Sequence, residues 1–529
     1  MNIDLILKDQ AEKSGNLTAI DGGHGQRSLT FGELAREVEF VAQRLQSQGI
    51  SKGTRVLVLV PMSPELYVIW LALLRLGSTM ISFEFTRGIK HLEHCCSICR
   101  PDALIASPKN LLKSLLQRFL RGIQLRISTR RILYKRAMRL SQTPNFEKFS
   151  LHSPGADDIA VLSLTSGSSG DPKIVPRTYG FLANQIAAIT QPFRLMRGQR
   201  DLVAFPLLGL VDLAVGVTVV IPNFKLSEPS KIDGAAVIRQ LNSDKVTRMT
   251  ASPRLLEQLV KAYREGSPPG VKLPDLEYIC SGGAPVQPRL LRALEELAPD
   301  AKALTIYACT EAEPIATCPW REVSNEDLAD IQSGRGLLVG KPVPTIELRI
   351  LADRWGECRF EMDDQTFRAE TIGVDQIGEI VVTGPHVIDR YLDGANFEET
   401  KFRAFGKVWH RTGDAGSLDG KGRLWLHGRC SAKIVDKGSC IYPFDVECIA
   451  LAHDGVRHAS LIKYDDQRVL LVEAEESEDL RRNLRLATAS KQIDRIALVP
   501  ALPVDRRHNS KIDYHALEQL IPRIMREAL

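Results

Sequence analysis

The strongest constraint in this sequence is a repeated switch of hydrophobic period, from continuous apolar runs of strand length to runs with helical spacing. RVLVLVP (55–61) reads as a strand buried on both faces, and PELYVIWLALLRLGS follows as a helix closed by Gly77. Upstream, Leu34, Val38, Val41, Ala42 and Leu45 recur at helical spacing before Gly49 stops the run. Similar apolar strands followed by helices return in AVLSLTS (160–166) and LPDLEYICSGG (273–283). Strands buried on both faces need helices on both faces, so the pattern predicts an α/β fold with layered parallel or mixed sheets. From about residue 335 the texture changes to short strands, GEIVVTG (378–384) and RLWLHG (423–428), with Gly and Asp turns. The residues after Arg429 read as a compact α+β piece ending in an amphipathic helix, with Leu517, Leu520, Ile521, Ile524 and Met525 on one side. The expected organisation is a large N-terminal domain over 1–429 and a small mobile C-terminal domain over 430–529.

Composition narrows the class. At 529 residues, with 44% hydrophobic and 25% charged residues, the chain is an ordinary globular protein, not a disordered, fibrous or disulfide-stapled one. Its ten cysteines, including adjacent Cys95 and Cys96, look like reduced intracellular thiols. HLEHCCSICR (91–100) gathers His and Cys but has no second half to complete a tetrahedral metal site, so buried small residues are the simpler reading. The N-terminus lacks the basic start and long apolar run of a signal peptide, and a cytoplasmic location is expected. Residues 202–221 carry one charge, Asp212, and are long enough to span a bilayer. Pro206, Gly209 and Gly216 suggest instead a strand, a turn and a buried helix.

The net charge is only +5, yet residues 109–140 hold ten Lys or Arg and no acid. Leu112, Leu115, Leu116, Phe119 and Leu120 are interleaved with them. The stretch reads either as a basic amphipathic helix drawn to an anionic membrane surface or as a solvated helical face covering the core.

One loop carries chemistry. LTSGSSGDPK (164–173) follows an apolar strand, and its small residues let backbone N–H groups approach phosphate oxygens while Lys173 adds charge. It does not fit the Walker pattern. It resembles the phosphate loop of the adenylate-forming superfamily of acyl-CoA synthetases, peptide-synthetase adenylation domains and luciferases, with Thr165, Ser166, Gly167, Ser168, Ser169, Gly170 and Lys173 as the nucleotide contacts that the resemblance implies. Further motifs follow in the family's order. SGGAP (281–285) sits where the family places adenine, implying contacts from Gly283 and Ala284. YACTE (307–311) is similar to Y-G-x-T-E, which implies that Tyr307 stacks on adenine, Thr310 touches the α-phosphate and Glu311 helps to hold Mg²⁺. RTGD (411–414) and GR (428–429) imply ribose contacts from Asp414 and Arg429, and HNSKI (508–512) places Lys511 where the family's catalytic lysine stands.

Three departures bear on the branch. Ile174 follows Lys173 where most relatives have Gly, Leu208 lies where many acyl-CoA ligases carry His, and Ser431 stands where thioester-forming relatives have an Asp or Lys pivot. PVDRRHNSKI (503–512), GRCSAK (428–433) and SPRLLEQL (252–259) resemble the β-lactone synthetases of long-chain olefin biosynthesis. That resemblance implies ATP- and Mg²⁺-dependent adenylation of a fatty 3-hydroxy acid followed by closure to a lactone, with no need for CoA and no nucleic-acid partner. His508 is either a positioning or proton-transfer residue of the second step or part of a capped turn before the last helix. The alternatives are a fatty acyl-CoA or acyl-AMP ligase and, in another class, a non-enzymatic nucleotide-binding or membrane-surface scaffold.

Overall fold

The computed structural model describes residues 3–23, 25–83, 88–129, 154–165, 173–226, 228, 231–266, 272–355, 362–392, 394, 400–436, 439–504 and 512–527. Two large sheets organise the chain. In the first, Leu125–Ser128, Ala103–Ala106, Arg55–Leu59, Thr79–Ser82 and Ile159–Leu164 lie side by side in parallel, and Ile174–Thr178 closes one edge antiparallel. Leu57, Ile81 and Leu104 stand in register and are wholly buried, as strands covered on both faces must be. Helix Phe31–Gln46 starts on a capping box, in which Thr30 accepts from the Glu33 N–H and Glu33 accepts from the Thr30 N–H. Helix Pro64–Arg75 starts on Ser63 with Pro64 in its first turn, and it is buried along most of its length.

The second sheet has a parallel half and an antiparallel half. Thr18–Asp21, Thr218–Val220, Arg200–Val203, Arg248–Ala251, Tyr278–Ser281 and Lys302–Cys309 run parallel in that order. A hairpin then returns through Ala312–Pro319, and Leu337–Pro342, Leu424–Arg429, Lys407–Leu418, Gly378–Thr383 and Glu347–Leu351 continue antiparallel. The expected mixed α/β architecture is therefore what forms.

The apolar stretch 202–221 resolves as expected into the end of strand Arg200–Val203, helix Leu208–Val215 stopped by Gly216, and strand Thr218–Val220. Among the described residues no helix is long and apolar enough to cross a membrane. Two readings are corrected. The basic stretch does not form one amphipathic helix over 109–129: helix Pro108–Ser114 gives way to a 3₁₀ turn at Arg118–Leu120 and to strand Leu125–Ser128. Residues 130–140 lie outside the described residues. In the last helix, Tyr514–Glu527, Leu517 and Ile521 are buried but Leu520 is 40% exposed, so the apolar face is narrower than the leucines suggest. Cys95 and Cys99 are buried one turn apart in helix Ile89–Cys99, with sulfurs 3.8 Å apart.

Beyond Arg429 the chain builds smaller units. Ile434–Asp436 pairs with Ser439–Ile441, and His458–Tyr464, Gln467–Glu473 and Arg495–Val499 make a three-stranded sheet. Helix Pro443–Leu451 packs against both this sheet and strand Leu424–Arg429. That close approach uses Gly428, whose φ is +102° and where a Cβ would stand 2.7 Å from the Phe444 Cβ.

Candidate active site

The phosphate-loop candidate grows from a closed neck. Strands Ile159–Leu164 and Ile174–Thr178 pair antiparallel up to Leu164 and Ile174. The Thr165 N–H donates to the Lys173 carbonyl at 2.9 Å, and the Lys173 N–H donates to Thr165 Oγ1 at 3.1 Å. Ser166, Gly167, Ser168, Ser169 and Gly170 lie outside the described residues, as do His508 and Lys511. Lys173 Nζ stands 5.3 Å from the centre of the Tyr391 ring, and the Tyr391 hydroxyl donates to Glu311 Oε1 at 2.8 Å. The loop's neck is thus connected through one aromatic residue to the candidate metal carboxylate.

A second group gathers on the antiparallel strands. Asp414 of Lys407–Leu418 lies directly opposite Arg429 of Leu424–Arg429. Arg429 Nη1 is 3.1 Å from Asp414 Oδ1 and also donates to the Thr412 carbonyl at 3.2 Å. From the neighbouring hairpin, the Tyr307 hydroxyl donates to Asp414 Oδ2 at 2.7 Å. Burial first, and then the Asp414 charge, push the Tyr307 phenol well above its ordinary range, so it is a donor at neutral pH. Gly283 has φ +84°, which favours glycine, and a Cβ at Gly282 would stand 3.0 Å from the Ile306 carbonyl oxygen. Gly283 and Ala284 are thereby held alongside the strand that carries Tyr307.

Thr310 and Glu311 occupy the tip of the hairpin between Lys302–Cys309 and Ala312–Pro319. The Thr310 carbonyl accepts from Arg177 Nη2 at 3.2 Å. That guanidinium also reaches Glu313 Oε2 at 3.3 Å, and Gln185 Nε2 donates to the same oxygen at 3.1 Å. Behind Glu311 sits a buried cation that sequence reading missed. Lys401 is 1% exposed; its ammonium donates to the Ile388 carbonyl at 2.6 Å and lies 3.4 Å from His410 Nδ1. Burial lowers the Lys401 pKa to about 8, while burial and the Lys401 charge hold His410 well below the usual imidazole range. His410 directly precedes RTGD, which is a signal of sorts. Lys401 and Tyr391 lie in no motif that the sequence singled out.

Cys309, Glu311 and His410 offer donor atoms within 4.8 Å of one another. A sulfur, an oxygen and a nitrogen suit a soft or borderline ion, but the Lys401 ammonium beside His410 repels a cation there. Mg²⁺ prefers one or two carboxylates completed by water and phosphate oxygens. Glu311 alone fits that mode.

A small apolar cavity of about 30 Å³ lies among helices Ile3–Ser14, Phe31–Gln46, Pro64–Arg75, Tyr179–Thr190 and Leu208–Val215. Leu7, Leu34, Leu71, Leu182 and Leu210 line it, with Gln10 and, on the side of the hairpin, Arg177 and Gln185. Arg177 also reaches the Thr310 carbonyl, and Gln185 reaches Glu313, so two lining side chains touch the hairpin. Thr165, Lys173, Gly283, Ala284, Tyr307, Thr310, Glu311, Asp414 and Arg429 are therefore brought to one region by adjacent strand ends.

Comparison with known proteins gives a consistent picture. The family described as AMP-binding enzyme matches residues 7–392. The chain is 29% identical to an olefin β-lactone synthetase of Stenotrophomonas maltophilia over 92% of its own length and 90% of that protein's. It is 26% identical to a feruloyl-CoA synthase of Amycolatopsis over 87% of this chain and 85% of that one. The structure of the Bacillus subtilis O-succinylbenzoate coenzyme A synthetase in complex with ATP and magnesium superposes with a TM-score of 0.75 at 22% identity, covering 97% of this chain and 99% of the other. At that identity the likeness speaks for the fold.

Proposed function

Because this chain belongs to the AMP-binding enzyme family, we propose that it adenylates a fatty 3-hydroxy acid with ATP and then closes the acyl-AMP to a β-lactone. The chain is an AMP-forming acyl-adenylate ligase, and the observation that carries the finer reading is its near full-length similarity to an olefin β-lactone synthetase. Leu208, at the start of helix Leu208–Val215, stands where many CoA ligases carry His.

A carboxylate is a poor electrophile because its leaving group is oxide. In the first step a substrate carboxylate oxygen bonds to the α-phosphorus as the bond to pyrophosphate breaks, and charge builds on the phosphoryl oxygens. Catalysis is then positioning plus cations. Asp414 and Arg429 hold the ribose, Tyr307 lies against adenine beside Gly283 and Ala284, and the loop Thr165–Lys173 cradles the phosphates. Thr310 touches the α-phosphate. Mg²⁺, held through Glu311, would neutralise phosphate charge. Residues 430–529 act as a lid that delivers Lys511, a cation that can be withdrawn once the adenylate has formed.

In the second step the substrate's own hydroxyl oxygen bonds to the acyl carbon, the bond to AMP breaks, and the hydroxyl proton passes to a base, for which His508 is placed in sequence beside Lys511. Intramolecular attack has a high effective molarity and needs no CoA. A second reading, a fatty acyl-CoA or acyl-AMP ligase, is favoured by the similarity to feruloyl-CoA synthase. Product mass spectra from ATP, Mg²⁺ and a 3-hydroxyacyl panel, with and without CoA, separate them. Lactone plus AMP without CoA is the expected result. Faster thioester formation from a plain fatty acid would replace the first reading with the second.

A further inference from the structure

Helix Pro108–Ser114 and the turn that follows it have two unlike faces. The inner face is committed to the core: Ser114, Leu120 and Ile123 are buried, and Leu111 and Phe119 pack against the cluster that contains Leu104 and Ala106. The outer face shows three leucines to solvent, with Leu112 68%, Leu115 50% and Leu116 76% exposed. Isolated exposed leucines are ordinary, but three within five positions, at helical spacing, form a patch that water does not favour. Lys109, Lys113, Arg118 and Arg121 are exposed around it, and Arg121 is steadied by donating through Nε to the Leu115 carbonyl at 3.0 Å. No acid occurs anywhere between Asp102 and Glu147 in the sequence. The patch stands at the edge of the six-stranded sheet, where Leu125–Ser128 is the terminal strand.

We infer that this face docks on the surface of an anionic phospholipid bilayer, with Leu112, Leu115 and Leu116 entering the headgroup boundary and the four cations meeting lipid phosphates. Charge complementarity selects the occupant. A second copy of this chain docking edge to edge would have to bring carboxylates, and the described residues 108–129 supply none, whereas a lipid surface offers negative charge and an apolar layer together. The inference does not depend on which acid the enzyme activates.

Flotation of the full-length protein with vesicles tests it. Binding is expected to vesicles of phosphatidylcholine with one quarter phosphatidylglycerol and not to phosphatidylcholine alone. Raising salt from 0.15 to 1 M shortens the Debye length from about 8 to about 3 Å and should release the protein. Replacing Lys109, Lys113, Arg118 and Arg121 by Gln should weaken partitioning on the order of a hundredfold or more. Replacing Leu112, Leu115 and Leu116 by Gln should also lower it, with the thermal unfolding midpoint of each variant unchanged. Equal binding to both vesicle types, or parent-like binding by either folded variant, would overturn the inference. So would light scattering that shows self-association lost with the leucine variant, or RNA binding that only the cation variant loses.

Discussion

Two polar networks share the strands Lys407–Leu418 and Leu424–Arg429, and they differ in one respect, access. At one end Asp414 meets Arg429 and Tyr307. A few residues away Ser417 Oγ lies 3.0 Å from His427 Nε2, and His427 Nδ1 lies 2.8 Å from Asp445 Oδ1. The second has the order of a nucleophile, a base and an orienting acid. Yet Ser417, His427 and Asp445 are 4%, 2% and 7% exposed, beneath helix Pro443–Leu451. Pairing skips His427, since Gly428 faces Ala415 and Leu426 faces Gly416, and such a bulge re-aims a side chain. Here the side chain is aimed into the core. The Asp414 side chain keeps 15% of its surface exposed and that of Arg429 39%, and the two Asp414 oxygens, with about four lone-pair sites, have acceptor capacity beyond their present donors for the proposed ribose hydroxyls. Hydrogen-bond geometry alone does not identify a functional site; a ligand also has to reach the acceptor.

The comparison is broken most sharply from its open side. Asp414→Ala should raise the KM for ATP about 10- to 100-fold, the value of about 1.5–3 kcal/mol attached to hydrogen bonds with a charged partner. Its unfolding free energy should also fall by about 1–3 kcal/mol, because the buried Tyr307 hydroxyl loses its acceptor, so the KM is the readout that separates the two networks. Steady-state kinetics with ATP as the varied substrate check this, and an unchanged KM would remove Asp414 from the nucleotide site. On the closed side, Asp445→Ala leaves a buried imidazole short of a partner and should cost about 1–3 kcal/mol of stability. The KM for ATP should stay as it was. Urea unfolding followed by fluorescence measures the first, and lost catalysis in a fully folded variant would show that the buried network takes part in the chemistry after all.

A third test uses pH. Glu447, on the same helix as Asp445, is 4% exposed and accepts from the Leu461 N–H at 3.0 Å. Burial raises its pKa from 4.5 to about 8. The folded chain therefore binds more protons than the unfolded chain between those values. The stabilisation is complete below about pH 4.5 and is lost progressively as pH rises to about 8, with a slope of at most about 1.4 kcal/mol per pH unit. Glu447→Gln, which carries no titrating proton, should flatten that limb in unfolding curves measured from pH 5 to 8. An unaltered slope would assign the pH dependence elsewhere.

The open site was far more legible in the sequence than the closed one. The neck residues Thr165 and Lys173 stand in a loop whose small residues and lysine suit phosphate, and the glycines of SGGAP, Tyr307, Asp414 and Arg429 stand in local strings that resemble adenylate-forming motifs. Lys401 could not be read that way. In KFRA strand alternation places Lys401 and Arg403 on one face, but Arg403 is exposed and Lys401 is buried against the Ile388 carbonyl and His410. Its place depends on chain segments distant in sequence. His427 was equally silent, because a bulge is a property of pairing and not of one strand. The basic stretch misled in the opposite direction. Its charges suggested one continuous helix, whereas Leu120 and Ile123 are committed to the core and Leu125–Ser128 joins the sheet edge.

The smallest expected effect sharpens the comparison within the open network itself. Tyr307→Phe keeps the ring, and with it any stacking on adenine, and removes only the hydroxyl that donates to Asp414 Oδ2 at 2.7 Å. Arg429 still holds the other carboxylate oxygen at 3.1 Å. If ribose takes over the freed acceptor site, the lost preorganisation should raise the KM for ATP only a few fold, about 0.5–1.5 kcal/mol, well below the Asp414→Ala effect. The maximal rate should hold, because the hydroxyl meets the groups proposed to bind ribose, which would serve ground and transition states alike. Isothermal titration with a non-hydrolysable ATP analogue measures the binding change directly. A loss as large as that of Asp414→Ala would mean that the tyrosine hydroxyl, and not the carboxylate by itself, is what shapes the ribose site.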